Sequence, residues 1–303
     1  MTLGIKVGPQ SSSIPDLQAT GVPFCEVWFD IGRRNQYHKL FEFIDKHNIA
    51  AGLHYWGILP DGIWSSIAHP ELSNLTVRMI KETIDIAAGH RYAYVNIHPG
   101  SRAKINLDLK IEKFKLIDGP IDLDRAVSEF ILNLKVLNQY ASAKSVLLTV
   151  ETTPARVING WNDPVSNRNS AFDVFELPDT VLLGAAGDGI AIANDFGHTA
   201  ASVVNGNAST VWKHLYDFTS RAAPVTRLLH LGFLVPPYNG TDLHDSLANP
   251  SFNSSGAVPN KLQTLELLKL FDNRPDVYML VEPNGGHVEN YFLAKKLLDE
   301  AGV

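Results

Sequence analysis

The chain has 303 residues, 45% of them hydrophobic, and 26 Lys and Arg against 32 Asp and Glu give a formal net charge of −6 at pH 7. This composition predicts a folded chain with a large core and excludes a disordered or fibrous protein. The negative charge argues against broad, non-specific attraction to nucleic acid, although a local basic rim stays open. The single cysteine, Cys25, excludes an internal disulfide.

No apolar stretch approaches the ~20 residues that a membrane helix needs. The first residues, Met-Thr-Leu-Gly, have neither the basic region nor the apolar run of a secretory signal. We therefore expect a cytoplasmic protein without a membrane partner. The sequence carries no signal for an oligomeric state.

Eight short apolar runs rich in β-branched residues predict strands. In chain order they are Leu3–Val7, Phe24–Phe29, Ala50–His54, Ala93–His98, Ser145–Glu151, Ile190–Asp195, Arg227–Leu231 and Val277–Glu282. Helical periodicity predicts helices between most of them, at Ile14–Ala19, Gln36–Lys46, Ser73–Ala88, Asp122–Ala141, Ala208–Phe218, Asn260–Phe271 and Glu289–Ala301. The alternation predicts an α/β fold, a single (β/α)8 TIM barrel over residues 1–303.

Two segments interrupt this alternation. Residues 152–181 show no clear helix and contain several Pro and Gly residues, which predicts a long, structured loop insertion. Residues 102–120 alternate Lys with apolar residues and form a second insertion. A doubly wound open sheet is the alternative fold, but no Gly-x-Gly-x-x-Gly follows the first strand.

Six of the predicted strands carry a side chain that can bind a metal ion at or near their C-terminal end. These residues are His54, His98, Glu151, Asp195, His230 and Glu282. In a barrel the C-terminal ends of all strands converge on one face, so we expect the six to meet. His198, Asp242 and His244 follow two of these strands and extend the set. Histidine and carboxylate ligands without cysteine suit zinc or manganese and exclude a Cys-type structural zinc site.

Each of these residues alone has an ordinary structural alternative, such as a hydrogen-bonded histidine or a carboxylate that caps a helix. Their repetition at six strand ends argues against coincidence. Carboxylates at the ends of apolar strands carry a large desolvation cost, which a bound dication compensates.

From about Ala50 to Pro283 the chain resembles endonuclease IV, within the wider xylose isomerase-like barrel superfamily. The matching pieces are Gly52-Leu-His-Tyr55, Val95-Asn-Ile-His-Pro-Gly-Ser101, Val150-Glu-Thr-Thr153, Asn194-Asp-Phe-Gly-His198, Leu229-His-Leu231, Asp242-Leu-His244 and Val281-Glu-Pro283. The resemblance implies up to three zinc ions, with manganese as an alternative metal. It implies that His54, His98 and Glu151 hold one metal and that Glu151 bridges to a second. Asp195, His230 and Glu282 would complete the second site, and His198, Asp242 and His244 would hold the third.

The chain departs from the family pattern at two positions. The segment His230-Leu-Gly-Phe233 stands where the family has His-x-Asn-Asp, and Leu243 stands where the family has an Arg that would contact a phosphate. The second departure weakens the prediction of DNA binding more than the prediction of metal binding. The loop after the second strand loosely resembles the family's Arg-and-aromatic DNA loop. We expect substrate contacts from Arg33, Arg34, Tyr55 and Trp56.

Two functions remain open at this point. The first is hydrolysis of a phosphoester, in abasic DNA or a smaller phosphorylated substrate, by a multinuclear zinc site as in endonuclease IV. The alternative is isomerisation or epimerisation of a sugar or sugar phosphate at one metal, with Glu151 and Glu282 exchanging a proton and His198 positioning a hydroxyl. The additional ligands outside that one-metal set favour the first. A barrel that has lost catalysis and binds no metal is a third alternative.

Overall fold

Thirteen strands are present in the computed structural model, which describes residues 1–108, 110–111, 113–160, 170–187 and 189–303. They are β1 (Thr2–Leu3), β2 (Ile5–Val7), β3 (Phe24–Phe29), β4 (Ala50–Tyr55), β5 (Tyr94–Ile97), β6 (Lys104–Asp108), β7 (Lys113–Asp118), β8 (Leu147–Glu151), β9 (Arg156–Ile158), β10 (Ala171–Asp173), β11 (Ala191–Asp195), β12 (Thr226–Leu231) and β13 (Tyr278–Val281). Nine of them form one parallel sheet in the order β1-β13-β12-β11-β8-β5-β4-β3-β2.

The two outer strands of this sheet are consecutive pieces of one chain segment, interrupted at Gly4. Thr2 pairs with Tyr278 on β13, while Ile5 pairs with Cys25 on β3, so the segment joins the two edges of the sheet. A side chain at Gly4 would overlap the ring of Phe24. The result is a closed parallel barrel with helices around it, and the predicted (β/α)8 fold is confirmed.

Helices cover the outside of the barrel. They are α1 (Ser13–Thr20), α2 (His38–Lys46), α3 (Pro70–His90), α4 (Leu123–Ala143), α5 (Asp179–Ala186), α6 (Phe196–Ala201), α7 (Ala208–Ala222), α8 (Lys261–Leu268) and α9 (His287–Ala301). The predicted start of α3 at Ser73 is late, because His69 caps the helix and Pro70 begins it. No helix in the described residues is long and apolar enough to cross a membrane.

Both predicted insertions contain regular structure. In the first along the chain, β6 and β7 form an antiparallel hairpin. In the segment 152–181, β9 pairs with β10 in an antiparallel ribbon and α5 begins at Asp179, while residues 161–169 lie outside the described residues. The sequence did not predict α5 because its residues are almost all apolar and show no amphipathic period.

Candidate metal centre

The barrel interior is built in layers by the alternation of side chains along each strand. Phe24, Tyr94, Leu228 and Leu280 form part of a buried apolar cluster. Two residues further along the same strands, the next inward positions are polar or charged: Glu26, Asn96, His230 and Glu282. The polar residues therefore form a layer next to this apolar cluster, on the side of the C-terminal ends of the strands.

The structure brings all nine predicted ligands together at this face. Among the described residues, their ligand atoms fall into three groups in which all atoms lie within 4.8 Å of one another. The groups are His54, His98 and Glu151; then Glu151, Asp195, His230 and Glu282; then His198, Asp242 and His244. A fourth group adds a residue that the sequence did not indicate, in the set Glu26, His54, His230 and Glu282.

Glu151 belongs to two of these groups through its two oxygens. Its Oε2 lies 3.2 Å from His54 Nε2 and 3.5 Å from His98 Nε2. Its Oε1 lies 3.1 Å from His230 Nδ1. One carboxylate therefore faces two adjacent sites, which is the geometry that a bridging ligand needs.

Asp195 has a structural task besides its place in the cluster. Its Oδ1 accepts a hydrogen bond of 2.8 Å from the backbone N–H of His198 and so caps α6. Its Oδ2 remains directed to the cluster, 3.7 Å from His230 Nδ1. Glu282 Oε2 approaches the same nitrogen at 3.0 Å. The cap and the cluster thus use different oxygens of Asp195.

Backbone carbonyls orient two of the histidines. His198 Nδ1 lies 2.8 Å from the carbonyl oxygen of Thr152, and His244 Nδ1 lies 2.9 Å from that of Glu282. Each Nδ1 donates its proton there, so Nε2 is the ring atom that a metal ion would bind in place of a proton. The two Nε2 atoms converge on Asp242 Oδ2, at 3.5 Å and 2.6 Å. This arrangement is typical of histidines that bind metal ions.

Hydrogen bonds behind the ligands hold Glu151. Asn96 donates from Nδ2 to Glu151 Oε2, and Thr149 Oγ1 donates to Asn96 Oδ1 at 2.8 Å. Thr152 Oγ1 instead accepts from the backbone N–H of Asp195 at 3.0 Å. Thr149 therefore acts on Glu151 through Asn96, whereas Thr152 positions the strand that carries Asp195.

Two charged residues at the site, Lys6 and Glu26, were missed from sequence. Lys6 Nζ lies 2.6 Å from Glu26 Oε1, from Glu282 Oε1 and from His54 Nδ1. Tyr94 donates a hydrogen bond of 2.8 Å to Glu26 Oε2, and the ring of Tyr94 occupies space that a side chain at Gly52 would fill. The available signal was a charge in the middle of an apolar strand, in Gly-Ile-Lys-Val and Phe-Cys-Glu-Val.

The cluster carries an excess of negative charge. Five carboxylates, those of Glu26, Glu151, Asp195, Asp242 and Glu282, face a single ammonium from Lys6. Burial works to lower the pKa of His230, but the carboxylates of Glu26, Glu151 and Glu282 outweigh it and hold the pKa well above its usual value. Burial also works to lower the pKa of His244, but the neighbouring carboxylate of Asp242 outweighs it and raises the pKa to about 9. The buried carboxylates thus attract positive charge, as protons or as metal ions.

Two buried atoms in the cluster test whether the residues fit a metal ion. His230 Nε2 and Glu282 Oε2 are buried and make no hydrogen bond, although charged partners lie 3.1 Å and 3.0 Å away. Buried polar atoms without hydrogen bonds are costly unless another group satisfies them. Together with the oxygen and imidazole donors, this makes the cluster fit for divalent metal ions.

A cavity of about 570 Å³ opens above the cluster. Arg33 and Trp56 line it, and so do the rings of Trp28, Trp64 and Phe114. Arg34 lies elsewhere, since it is 60% exposed and pairs with Glu82 on α3 at 3.4 Å. Tyr55 packs into the hydrophobic core with 5% exposure. The structure thus brings two of the four expected substrate contacts to the cavity and places Arg34 and Tyr55 outside its lining.

Neither a protein-family model nor a curated protein sequence matches the chain. Solved structures with the same fold do match. A D-tagatose 3-epimerase-like protein superposes with a TM-score of 0.66 at 15% identity, over 100% of this chain and 98% of that one. A 3-keto-D-glucoside 4-epimerase from Escherichia coli gives 0.57 at 12% identity, over 100% and 99%. A Thermus thermophilus protein soaked with ZnCl2 gives 0.59 at 16% identity, over 99% of each chain.

Proposed function

We propose that the protein is a metal-dependent sugar isomerase or epimerase. The observation that carries the proposal is the group of Glu151, Asp195, His230 and Glu282, whose ligand atoms lie within 4.8 Å of one another at the C-terminal face of the barrel. Two of its four members are glutamates on well-separated strands, β8 and the end of β13. This arrangement supplies both a cation site and two proton-transfer groups.

The chemistry follows from those two glutamates. A metal ion bound by the group, zinc or manganese, would polarise a substrate carbonyl and so acidify the neighbouring C–H. One glutamate carboxylate removes that proton. Return of a proton to the opposite face of the same carbon by the other glutamate gives an epimer, and transfer to the carbonyl carbon gives an isomer. His198 lines the cavity and would position a substrate hydroxyl.

The names of the structurally similar proteins support sugar chemistry over endonuclease IV-like cleavage. Two of those described above are sugar epimerases or resemble one, and the third was soaked with zinc chloride. At identities of 12% to 16% the likeness shows the fold and leaves the substrate to be tested. Leu243 replaces the Arg that the endonuclease IV pattern has for a phosphate, and this also supports sugar chemistry over cleavage of DNA.

Phosphoester hydrolysis is the second candidate, favoured by one observation. The groups formed by His54, His98 and Glu151 and by His198, Asp242 and His244 exceed what a single-metal epimerase requires. Two or three metal ions held there would suit activation of water and stabilisation of a leaving oxygen.

The number of metal ions bound per chain and the exchange of one substrate proton separate the two candidate functions. We expect zinc- or manganese-loaded protein to exchange the C–H next to the carbonyl of a ketose such as D-tagatose with deuterium from the solvent, as measured by NMR. Glu282→Gln, loaded with metal to the same content, should slow this exchange at least about 100-fold. Near three metals per chain by elemental analysis, cleavage of an abasic duplex at low salt and no exchange with any ketose would instead establish the hydrolase.

A further inference from the structure

Lys6 is a buried ammonium group whose three hydrogens all have acceptors inside the metal cluster. Its Nζ lies 2.6 Å from Glu26 Oε1, 2.6 Å from Glu282 Oε1 and 2.6 Å from His54 Nδ1. A lysine ammonium has three N–H donors and no acceptor. Each of the three contacts is therefore a hydrogen bond that Lys6 donates.

The ammonium lies where a metal ion would lie in the fourth group of candidate ligands. It contacts three of the four residues of that group, which are Glu26, His54, His230 and Glu282. The side chains of Lys6 and Glu26 are only 5% and 0% exposed. A metal ion at this position would have to displace a buried cation from its carboxylates, and breaking a buried ion pair is strongly unfavourable.

The contact with Lys6 also determines which ring nitrogen of His54 carries the proton. Nδ1 accepts from the ammonium, so the ring proton is on Nε2. Nε2 lies 3.2 Å from Glu151 Oε2, and it donates its proton in that direction. A metal ion binds a ring nitrogen through the lone pair, which Nε2 lacks in this tautomer. His54 therefore enters its group with His98 and Glu151 as a hydrogen-bond donor and not as a metal ligand.

The other histidines show how different this arrangement is. In His198 and His244 a backbone carbonyl accepts the proton of Nδ1, so Nε2 is the atom left for a metal ion. Without Lys6, His54 would have an acceptor of the same kind, because Glu26 Oε1 lies 3.4 Å from His54 Nδ1. A carboxylate behind a histidine is a common support for a metal ligand. The presence of Lys6 thus decides whether His54 binds a metal ion.

We infer that the Lys6 ammonium takes the place of a metal ion and prevents the group of His54, His98 and Glu151 from holding one. The inference rests on the proposed function, which needs a single metal ion, and states how the chain keeps one of the additional groups from binding another. It also removes one of the two groups of ligands that favour phosphoester hydrolysis.

The number of zinc ions bound per chain tests the inference. Elemental analysis of zinc-saturated, dialysed protein should give one more zinc ion in Lys6→Met than in the wild type. His54→Ala alone should bind the wild-type number, and Lys6→Met combined with His54→Ala should return to that number. Lys39→Met, at an exposed position on α2, is the matched control and should also bind the wild-type number. Equal zinc contents of Lys6→Met and wild type overturn the inference, and so does the loss of a zinc ion in His54→Ala.

NMR of the wild type gives an answer even where Lys6→Met fails to fold. In isotope-labelled protein near neutral pH, correlations between ring hydrogens and ring nitrogens distinguish a protonated nitrogen from one with a free lone pair. The signals that disappear in His54→Ala identify this residue. We expect His54 Nε2 to be protonated before and after saturation with zinc, and loss of that proton on addition of zinc overturns the inference. The deuterium exchange experiment judges the proposed function separately, because it reads proton transfer from a ketose and not the number of bound zinc ions.

Discussion

Lys6 and Glu26 are direct register neighbours on adjacent parallel strands and form a buried ion pair of 2.6 Å in the barrel interior. Lys6 extends this pair to Glu282 at the same distance. Burial works to lower the pKa of Lys6, but these carboxylates outweigh it and raise the pKa, so the ammonium stays charged. The site therefore contains one permanent cation of its own beside the predicted metal sites.

Replacing this cation should destabilise the metal-free protein. Lys6→Met takes the ammonium away from two buried carboxylates and leaves them His230 as a charged partner. We expect a loss of about 3 kcal/mol in the free energy of unfolding, the lower end of the range for a broken buried ion pair. Lys6→Met combined with Glu26→Gln should recover part of that loss, since one of the two charges is then gone. Urea unfolding in EDTA measures both. Equal stabilities of Lys6→Met and wild type would show that the ion pair is not needed.

Glu151 should control metal content. Glu151→Gln keeps the shape of the side chain and removes the charge that faces both groups of histidines, so we expect loss of bound metal and a fall in activity of at least about 100-fold. Circular dichroism should still report the folded barrel. Full metal occupancy in this variant, by elemental analysis, would contradict a central ligand role.

Asn96 offers a weaker version of the same test. It donates to Glu151 and is not one of the nine predicted ligands, so Asn96→Ala should lower metal affinity about 10- to 100-fold while the predicted ligand set remains complete. Competition with a fluorescent chelator gives the affinity. An unchanged affinity would mean that Glu151 is held by its histidines alone.

The raised pKa of Glu176 predicts a pH dependence of stability. Between its ordinary value of 4.5 and about 8, the group is neutral in the folded chain and ionised in the unfolded chain. The folded state then holds the extra proton, so its stability falls as pH rises through this range, by at most about 1.4 kcal/mol per pH unit. Glu176→Gln lacks this loss, and its advantage over wild type in urea unfolding should grow from about pH 5 to about pH 8. An advantage independent of pH would indicate an ordinary carboxyl group.

Arg33 and Arg34 form a natural matched pair for the cavity. Arg33 lies over the ring of Trp28 at 5.6 Å and lines the cavity, whereas Arg34 pairs with Glu82 on the helical exterior. We expect Arg33→Ala to raise the KM for a sugar substrate about three- to tenfold and Arg34→Ala to leave it unchanged. Equal effects would place the substrate outside this cavity.

The barrel and most of the cluster could be predicted because each depends on local pattern. The eight strands are apolar runs with clear ends, and the nine predicted ligands stand at those ends or shortly after them. Lys6 and Glu26 were not predicted because they lie within strands and not at their ends. Each neutralises the charge of the other, and only the folded sheet shows that the two are paired. Arg33 and Arg34 are indistinguishable in sequence, and only the short helical turn from Ile31 to Tyr37 separates their directions.

Closure of the barrel at Gly4 determines when the metal cluster can assemble during synthesis of the chain. The segment that carries Lys6 is synthesised before the other strands of the barrel, but its partners on β13 and at Glu282 are synthesised after them. In a growing chain Lys6 can pair with Glu26, but it lacks Glu282 until the final barrel strand docks against the first. The group of Glu151, Asp195, His230 and Glu282 is complete only at that moment, so metal bound by these four residues would be a signature of a completed barrel.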